Sequence, residues 1–231
     1  MHIPDGYLGP PTYIATYAAC APLWGVAARK VRENTLDARR APLLAISAAF
    51  SFLVMMFNLP LPGGSTGHAV GGVLIAISVG PWGAMLSISI ALVIQALLFG
   101  DGGITAIGAN CLNIAFVMPF AGYYTFRLLS RVLSSERGRV LAAGIGGYVG
   151  LNAAAFTTAV MFGIQPLLHM SPDGRALYAP YPLSVAVHAM MLQHMTVIGT
   201  VEALVTGLVV HSLHRSRSAW VLDPPESRSS R

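Results

Sequence analysis

Residues 82–99 read WGAMLSISIALVIQALLF and contain no charged side chain. This length is close to the roughly 20 apolar residues that an α-helix needs to cross a bilayer. The rest of the chain has a similar character: of its 231 residues, 55% are hydrophobic and only 10% are charged, whereas a typical soluble domain carries about 25% charged residues. The composition therefore predicts a membrane protein with several spans.

Further apolar stretches lie on either side of this one. The seven predicted spans cover residues 10–28, 41–58, 67–79, 82–99, 104–127, 140–164 and 183–212. The third is short and is separated from the fourth by Gly80 and Pro81, a pair that ends a helix, so six spans with one re-entrant segment remain an alternative. We expect an all-α integral membrane bundle that forms one domain over 1–222, followed by a short disordered polar tail over 223–231.

The basic residues predict the orientation of the bundle. With seven spans, RKVRENTLDARR (29–40), RLLSRVLSSERGR (127–139) and the segment after the last span fall on one side, and the other side carries only Arg175. Cytoplasmic loops are enriched in lysine and arginine, so we expect the N-terminus outside and the C-terminus in the cytoplasm. Clustering between apolar stretches also argues against a nucleic-acid partner, despite the net charge of +5, and in favour of a lipid bilayer.

The chain opens with MHIPDGYLGP (1–10), which has no basic residue. A secretory signal peptide begins with a basic region, so we expect this segment to remain on the mature protein. The amine of Met1 and the main-chain nitrogen of His2 close a five-membered ring around a metal ion, and Nδ1 of His2 closes a six-membered ring with the same main-chain nitrogen. Planar nitrogen coordination favours Cu(II) and Ni(II). The alternative is that His2 is an ordinary residue of a disordered terminus.

A second histidine lies in NLPLPGGSTGHAV (58–70), on the same predicted side of the membrane as the N-terminus. The glycines before His68 allow the main chain to approach another segment closely. The imidazole of His68 therefore becomes the candidate for the fourth position of the metal plane. The alternative is that His68 only forms a hydrogen bond at the start of a helix.

Taken together, MHIPDGYLGP and PGGSTGH (62–68) resemble the substrate-binding (S) components of nickel/cobalt energy-coupling-factor transporters, the CbiM/NikM family. FGDGG (99–103), GANCLNIAFV (108–117) and IGTVEALVT (198–206) are also similar to the family. The resemblance implies that the N-terminus inserts into the bundle. It also implies metal ligands from Met1 (amine), His2 (main-chain nitrogen and imidazole) and His68 (imidazole). The opening MHIPDG is similar to the nickel branch of the family, with cobalt as the alternative substrate.

The chain contains no GxxxxGK[ST] loop that could bind ATP. The resemblance implies that partner proteins supply the energy. The family works with a transmembrane coupling protein and two cytoplasmic ATPase subunits, and often with a small accessory membrane protein. The expected role is ATP-dependent uptake of Ni(II) across a bacterial or archaeal cytoplasmic membrane, without enzymatic activity or a resident cofactor. A channel or carrier that works without ATP is the second alternative. Ala41, Ala45 and Ala49 form one stripe of small residues, and the resemblance implies that the coupling protein docks on such a stripe. The alternative is that abundant alanine produces this spacing by chance.

Other polar residues have two interpretations each. Glu202 lies inside the last predicted span, where a carboxylate is costly, and either supports the metal site or pairs with His194. Asp101 either shapes a turn or orients a metal-binding imidazole. Asn110 and Asn113 share one helix face and either bond to the N-terminal segment or join helices.

Overall fold

The computed structural model describes residues 2–34, 40–61 and 65–216. Met1, the glycines at 63 and 64 and the predicted tail over 223–231 lie outside the described residues. The described chain is mostly helical, which confirms the predicted class. Its elements are α1 (Pro10–Asn34), α2 (Arg40–Met56), β1 (Leu59–Leu61), β2 (Ser65–Gly67), α3 (Gly72–Val79), α4 (Pro81–Ile94), α5 (Ile107–Asn110), α6 (Met118–Val132), α7 (Glu136–Gly163), α8 (Gln165–Leu168), α9 (Leu183–Gln193) and α10 (Gly199–Arg215).

Helices of membrane-crossing length occupy much of the chain. Within the described residues, Pro81–Phe99, Glu136–Leu168 and Leu183–Arg215 are each long and apolar enough to cross a bilayer, and Ala41–Met56 is a shorter apolar helix. The first and fifth predicted spans are also helical, although their composition is more polar. The number of spans therefore stays a prediction.

The third predicted span, 67–79, does not form one helix. Its first residue ends a two-stranded antiparallel hairpin of β1 and β2, in which Leu59 pairs with Gly67. The following four residues are irregular, and α3 is too short to cross a bilayer, since eight residues rise only about 12 Å. Most of α3 is buried among the neighbouring helices. As predicted, a helix ends at the Gly80–Pro81 pair: α3 stops at Val79, and Pro81 begins α4, because proline is tolerated in a first helical turn.

The centre of the bundle is α7, which packs against α6, α9 and α10. Glycines allow α6 and α7 to approach closely. A Cβ atom on Gly150 would lie 2.6 Å from the carbonyl oxygen of Met118, and one on Gly146 would lie 2.7 Å from that of Gly122. This spacing of small residues is typical of tightly packed membrane helices.

In the part of the chain that the structure describes, π-helical segments extend or join the helices at Gln95–Phe99, Cys111–Val117 and His194–Ile198. π-Helical turns are rare and often occur at functional sites. Asp101 follows the first segment, Asn110 precedes the second and His194 begins the third. The irregular backbone thus adjoins polar residues that the sequence had already marked.

Candidate metal centre

The N-terminal segment, residues 2–9, is buried against the bundle at Ile3 and Leu8, while residues 4–7 between them are exposed. Ile3 has no exposed surface. Its main-chain N–H donates to Oδ1 of Asn110 over 2.8 Å, and its carbonyl oxygen accepts from Nδ2 of Asn110 over 3.1 Å and from the N–H of Gly103 over 2.8 Å. Asn110 therefore bonds to the N-terminal segment, as one of its two interpretations predicted. These contacts fix the main chain directly after His2.

A second set of contacts holds the rest of this segment. The carboxylate of Asp5 accepts from the N–H groups of Ile104 and Thr105 at 3.1 and 2.9 Å and from the Thr105 hydroxyl at 2.5 Å. These bonds, the hydroxyl first, lower the pKa of Asp5. Farther along, the N–H of Gly9 donates to Oε1 of Gln165 over 2.9 Å. Neither contact was predicted from the sequence. For Gln165 the signal was an amide side chain in an otherwise apolar region.

The side chain of His2 is only 6% exposed. Its Nδ1 is 2.8 Å from Oδ1 of Asp101. Burial lowers the pKa of His2, against the opposing effect of the Asp101 hydrogen bond, and the same bond lowers the pKa of Asp101. A neutral ring that donates from Nδ1 keeps its lone pair on Nε2. Nε2 is buried and has no hydrogen-bond partner among the described residues.

His68 lies beside His2. The centroids of the two rings are 4.6 Å apart, with 43° between the ring planes. Nδ1 of His68 is 3.0 Å from the carbonyl oxygen of Ala69, and Nε2 is again buried without a partner in the described part of the chain. Burial lowers the pKa of His68 well below its usual value. Two neutral imidazoles thus keep free lone pairs in one buried place, where a metal cation is the natural acceptor.

The structure describes two of the three residues predicted to bind the metal. His2 and His68 are brought together, while Met1 lies outside the described residues. The planar chelate requires Nδ1 of His2, which here lies 2.8 Å from Oδ1 of Asp101, so this contact has to break before Nδ1 can bind the metal. In the present geometry Asp101 orients the His2 imidazole, which is one of its two predicted roles.

A residue of α10 anchors the segment that carries His68. Oε2 of Glu202, in the first turn of α10, accepts from the N–H groups of Val70 and Gly71 at 2.8 and 3.1 Å. Nδ1 of His194 instead lies 2.8 Å from the carbonyl oxygen of Met190. Of the two interpretations of Glu202, contact with the His68 segment is the one that the described hydrogen bonds show.

Long apolar helices around a buried pair of nitrogen donors define the class: a helical membrane protein with a site suited to a transition metal. The family model CbiM, described as "Cobalt uptake substrate-specific transmembrane region", matches residues 2–220. The chain therefore belongs to the CbiM family, and the resemblance seen in the sequence is confirmed.

The named relatives agree with this membership. A fused nickel transport protein, NikMN, of Rhodobacter capsulatus is 53% identical over 217 residues, which are 94% of this chain but only 62% of that protein. A putative metal transport protein of Methanocaldococcus jannaschii is 48% identical and covered over 93% of its length. A crystal structure of a truncated transition metal transporter superposes with a TM-score of 0.88 at 52% identity, covering 93% of this chain and 99% of that one. The homologues are thus nickel and cobalt transport proteins.

Proposed function

We propose that this chain is the substrate-binding component of an ATP-driven uptake system, and that its substrate is Ni(II). The observation that carries the proposal is the pair of buried imidazoles of His2 and His68, whose ring centroids lie 4.6 Å apart. ATP is hydrolysed by two cytoplasmic ATPase subunits, which act through a transmembrane coupling protein, with or without a small accessory membrane protein. The protein crosses the cytoplasmic membrane several times, with its N-terminus outside.

The proposed ligands are the amine of Met1, the main-chain nitrogen and Nδ1 of His2, and an imidazole nitrogen of His68. On binding, the His2 ring leaves Asp101 and turns Nδ1 toward its own main-chain nitrogen. Loss of the amide proton in this planar set favours Ni(II) over Co(II). The name of the R. capsulatus relative supports nickel, and the description of the family model keeps Co(II) as the alternative substrate.

The test of the site compares nickel and cobalt binding by two forms of the purified protein. One form has the native N-terminus, and the other has two additional glycines before Met1. Two glycines are needed because a single one would create an amine–amide–amide–imidazole set that chelates nickel without His68. We expect stoichiometric, planar nickel binding by the native form and its loss in the extended form and in His68→Ala. Equal binding by the native and extended forms would contradict the chelate.

A separate experiment tests the energy source. The chain is reconstituted into vesicles either alone or with the coupling protein and ATPases, and nickel uptake is followed with and without ATP. We expect uptake only with the partners and ATP. Uptake by the chain alone would instead support the alternative of a channel or carrier that works without ATP.

A further inference from the structure

Glu202 is wholly buried, in the first turn of α10. A carboxylate in a membrane helix is costly and is found where it has a specific partner. Here both recorded hydrogen bonds come from main-chain N–H groups, those of Val70 and Gly71, which are 132 and 131 residues away along the chain. Helix α10 is thereby tied to the segment that carries His68.

The connection between Glu202 and His68 runs through a single peptide group. In the peptide unit that joins Ala69 to Val70, the N–H donates to Oε2 of Glu202 over 2.8 Å. The carbonyl oxygen of the same unit lies 3.0 Å from Nδ1 of His68. A peptide group that donates to a carboxylate becomes a better acceptor, because hydrogen bonds in a chain polarise one another. The carboxylate thus acts on the His68 ring through the Ala69–Val70 peptide group.

The other hydrogen bonds described for this stretch reach its carbonyl groups: the Ser51 hydroxyl donates to the carbonyl oxygen of Val70 and the N–H of Ile75 to that of Gly71, each over 3.0 Å. Residues 68–71 lie between β2 and α3 in no regular element. Gly71 has φ of 70°, the left-handed region that favours glycine, and α3 begins at the next residue. Buried main-chain N–H groups require partners. Without Glu202, the two N–H groups after Ala69 would lose theirs.

We propose that Glu202 is a positioning residue for His68, acting as a hydrogen-bond acceptor through the Ala69–Val70 peptide group. It fixes the ring orientation and keeps the proton on Nδ1, so that Nε2 is available to the metal. This inference rests on the proposed function, since it takes His68 as a metal ligand. Partners that orient metal-binding histidines in this way are worth about 10–100-fold in affinity.

The geometry separates the acceptor role of Glu202 from its charge. Both N–H groups converge on Oε2, while Oε1 has no hydrogen-bond partner among the described residues. Glu202→Gln keeps an oxygen at the same reach and removes the charge. Glu202→Asp keeps the charge but shortens the side chain by one methylene. A positioning role predicts that glutamine is the better substitute, whereas a role for the charge predicts aspartate.

The experiment uses the full chain with its native N-terminus, purified in detergent, with NiCl₂ as the probe. It measures nickel affinity by chelator competition, the visible spectrum of the bound nickel, and hydrogen exchange over residues 68–79 without metal. We expect Glu202→Asp and Glu202→Ala to lose at least ~10-fold in affinity, with an altered spectrum and faster exchange. Glu202→Gln should stay within about 3-fold of the wild type, with the wild-type spectrum.

The matched control is Val210→Ala, which removes buried apolar volume from the same helix two turns later. We expect its affinity and spectrum to match the wild type. The inference is overturned if Glu202→Asp binds more tightly than Glu202→Gln, or if both bind like the wild type. If Glu202→Ala does not fold, the order of the other two variants still decides.

The same data distinguish this inference from the proposed function. If the wild type binds no nickel, the proposed function fails. Hydrogen exchange in the metal-free variants still shows whether Glu202 holds residues 68–71, and unchanged exchange in Glu202→Asp would overturn that. If the wild type binds nickel and the variants do too, only the role of Glu202 fails.

Discussion

Each of the two site histidines has one ring nitrogen engaged and the other free. For His2 the engaging group is a carboxylate, and for His68 it is a main-chain carbonyl oxygen. Both arrangements leave the lone pair on Nε2 when the ring is neutral. Burial favours the neutral form of both rings, so neither has to release a net proton at neutral pH. In the proposed chelate, the proton of His2 moves from Nδ1 to Nε2.

The lowered histidine pKa values change the expected pH dependence of nickel binding. Protons compete only with groups whose pKa lies near or above the working pH, and both imidazoles have a pKa below the usual value of about 6.5. Between pH 7.5 and 6.5 the competition comes from the Met1 amine, with a reference pKa near ~8, and from the amide of His2. We expect the affinity to fall on acidification with a slope of about two protons per metal.

Calorimetric titration in buffers of different ionisation enthalpy measures the number of protons released. A release near four per nickel at pH 6.5–7.5 would mean that both imidazoles are protonated in the free protein. A flat affinity over this range would argue against the amine and the amide as ligands.

Asp101 distinguishes the two ring orientations of His2. If Nδ1 joins the chelate, the contact with Asp101 is broken on binding, and Asp101→Asn should change nickel affinity by less than about 10-fold, because little of that contact survives in the bound state. Chelator competition on Asp101→Asn beside the wild type checks this. A loss of ~10–100-fold would instead show that Nε2 binds the metal while Asp101 orients the ring.

At the scale of elements, the sequence predicted most helices but not the region around α3. Hydropathy detects apolar stretches, and a short helix buried by its neighbours is as apolar as a span. Residues Gly72–Ile77 are all buried, so their composition could not reveal that α3 is only eight residues long. The partners of Glu202 were unpredictable for another reason: they are main-chain N–H groups, which every residue except proline carries.

The N-terminal segment depends on a few polar contacts, so Asn110→Ala should release it. The substitution leaves the buried N–H and carbonyl of Ile3 without the side chain that bonds to both, at a cost of about 1–3 kcal/mol for an unsatisfied group. We expect nickel affinity to fall by about 10–100-fold, the equivalent of this cost, and aminopeptidase to remove the terminus faster.

Asn113→Ala is the matched control for this prediction. Asn113 lies three residues later, and its Nδ2 contacts Sδ of Met161 instead of the N-terminal segment. The affinity of Asn113→Ala for nickel should remain within about 3-fold of that of the wild type. Equal losses in the two variants would show that general destabilisation of the bundle, and not release of the terminus, reduces binding.

At the scale of the whole molecule, the proposed orientation follows from the basic residues alone. Most of them lie in 29–40 and 127–139, where α1 is followed by α2 and α6 by α7, whereas the connection between α8 and α9 carries only Arg175. This connection also contacts the N-terminal segment, since the N–H of Ala179 donates to the carbonyl oxygen of Tyr7. The metal centre and the residues 169–182 therefore lie at the same end of the bundle.

Two single-cysteine substitutions test this orientation in intact cells. Asp173→Cys and Ser134→Cys both replace exposed side chains, while the native Cys20 and Cys111 are buried. We expect a membrane-impermeant maleimide to label position 173 but not position 134, because the excess of basic residues marks the cytoplasmic side. The opposite pattern would invert the proposed orientation and place the metal centre on the cytoplasmic side.

The hydrogen bonds from Gly9 to Gln165 and from Ala179 to Tyr7 have a consequence for biosynthesis. Tyr7 and Gly9 find these partners only among residues made much later, and synthesis proceeds at about 5–20 residues per second. A nascent chain that still lacks Gln165 and Ala179 can already bond Ile3 to Asn110, but the other end of its N-terminal segment has no partner to dock on. The segment is therefore fixed at both ends only after Ala179 has been made.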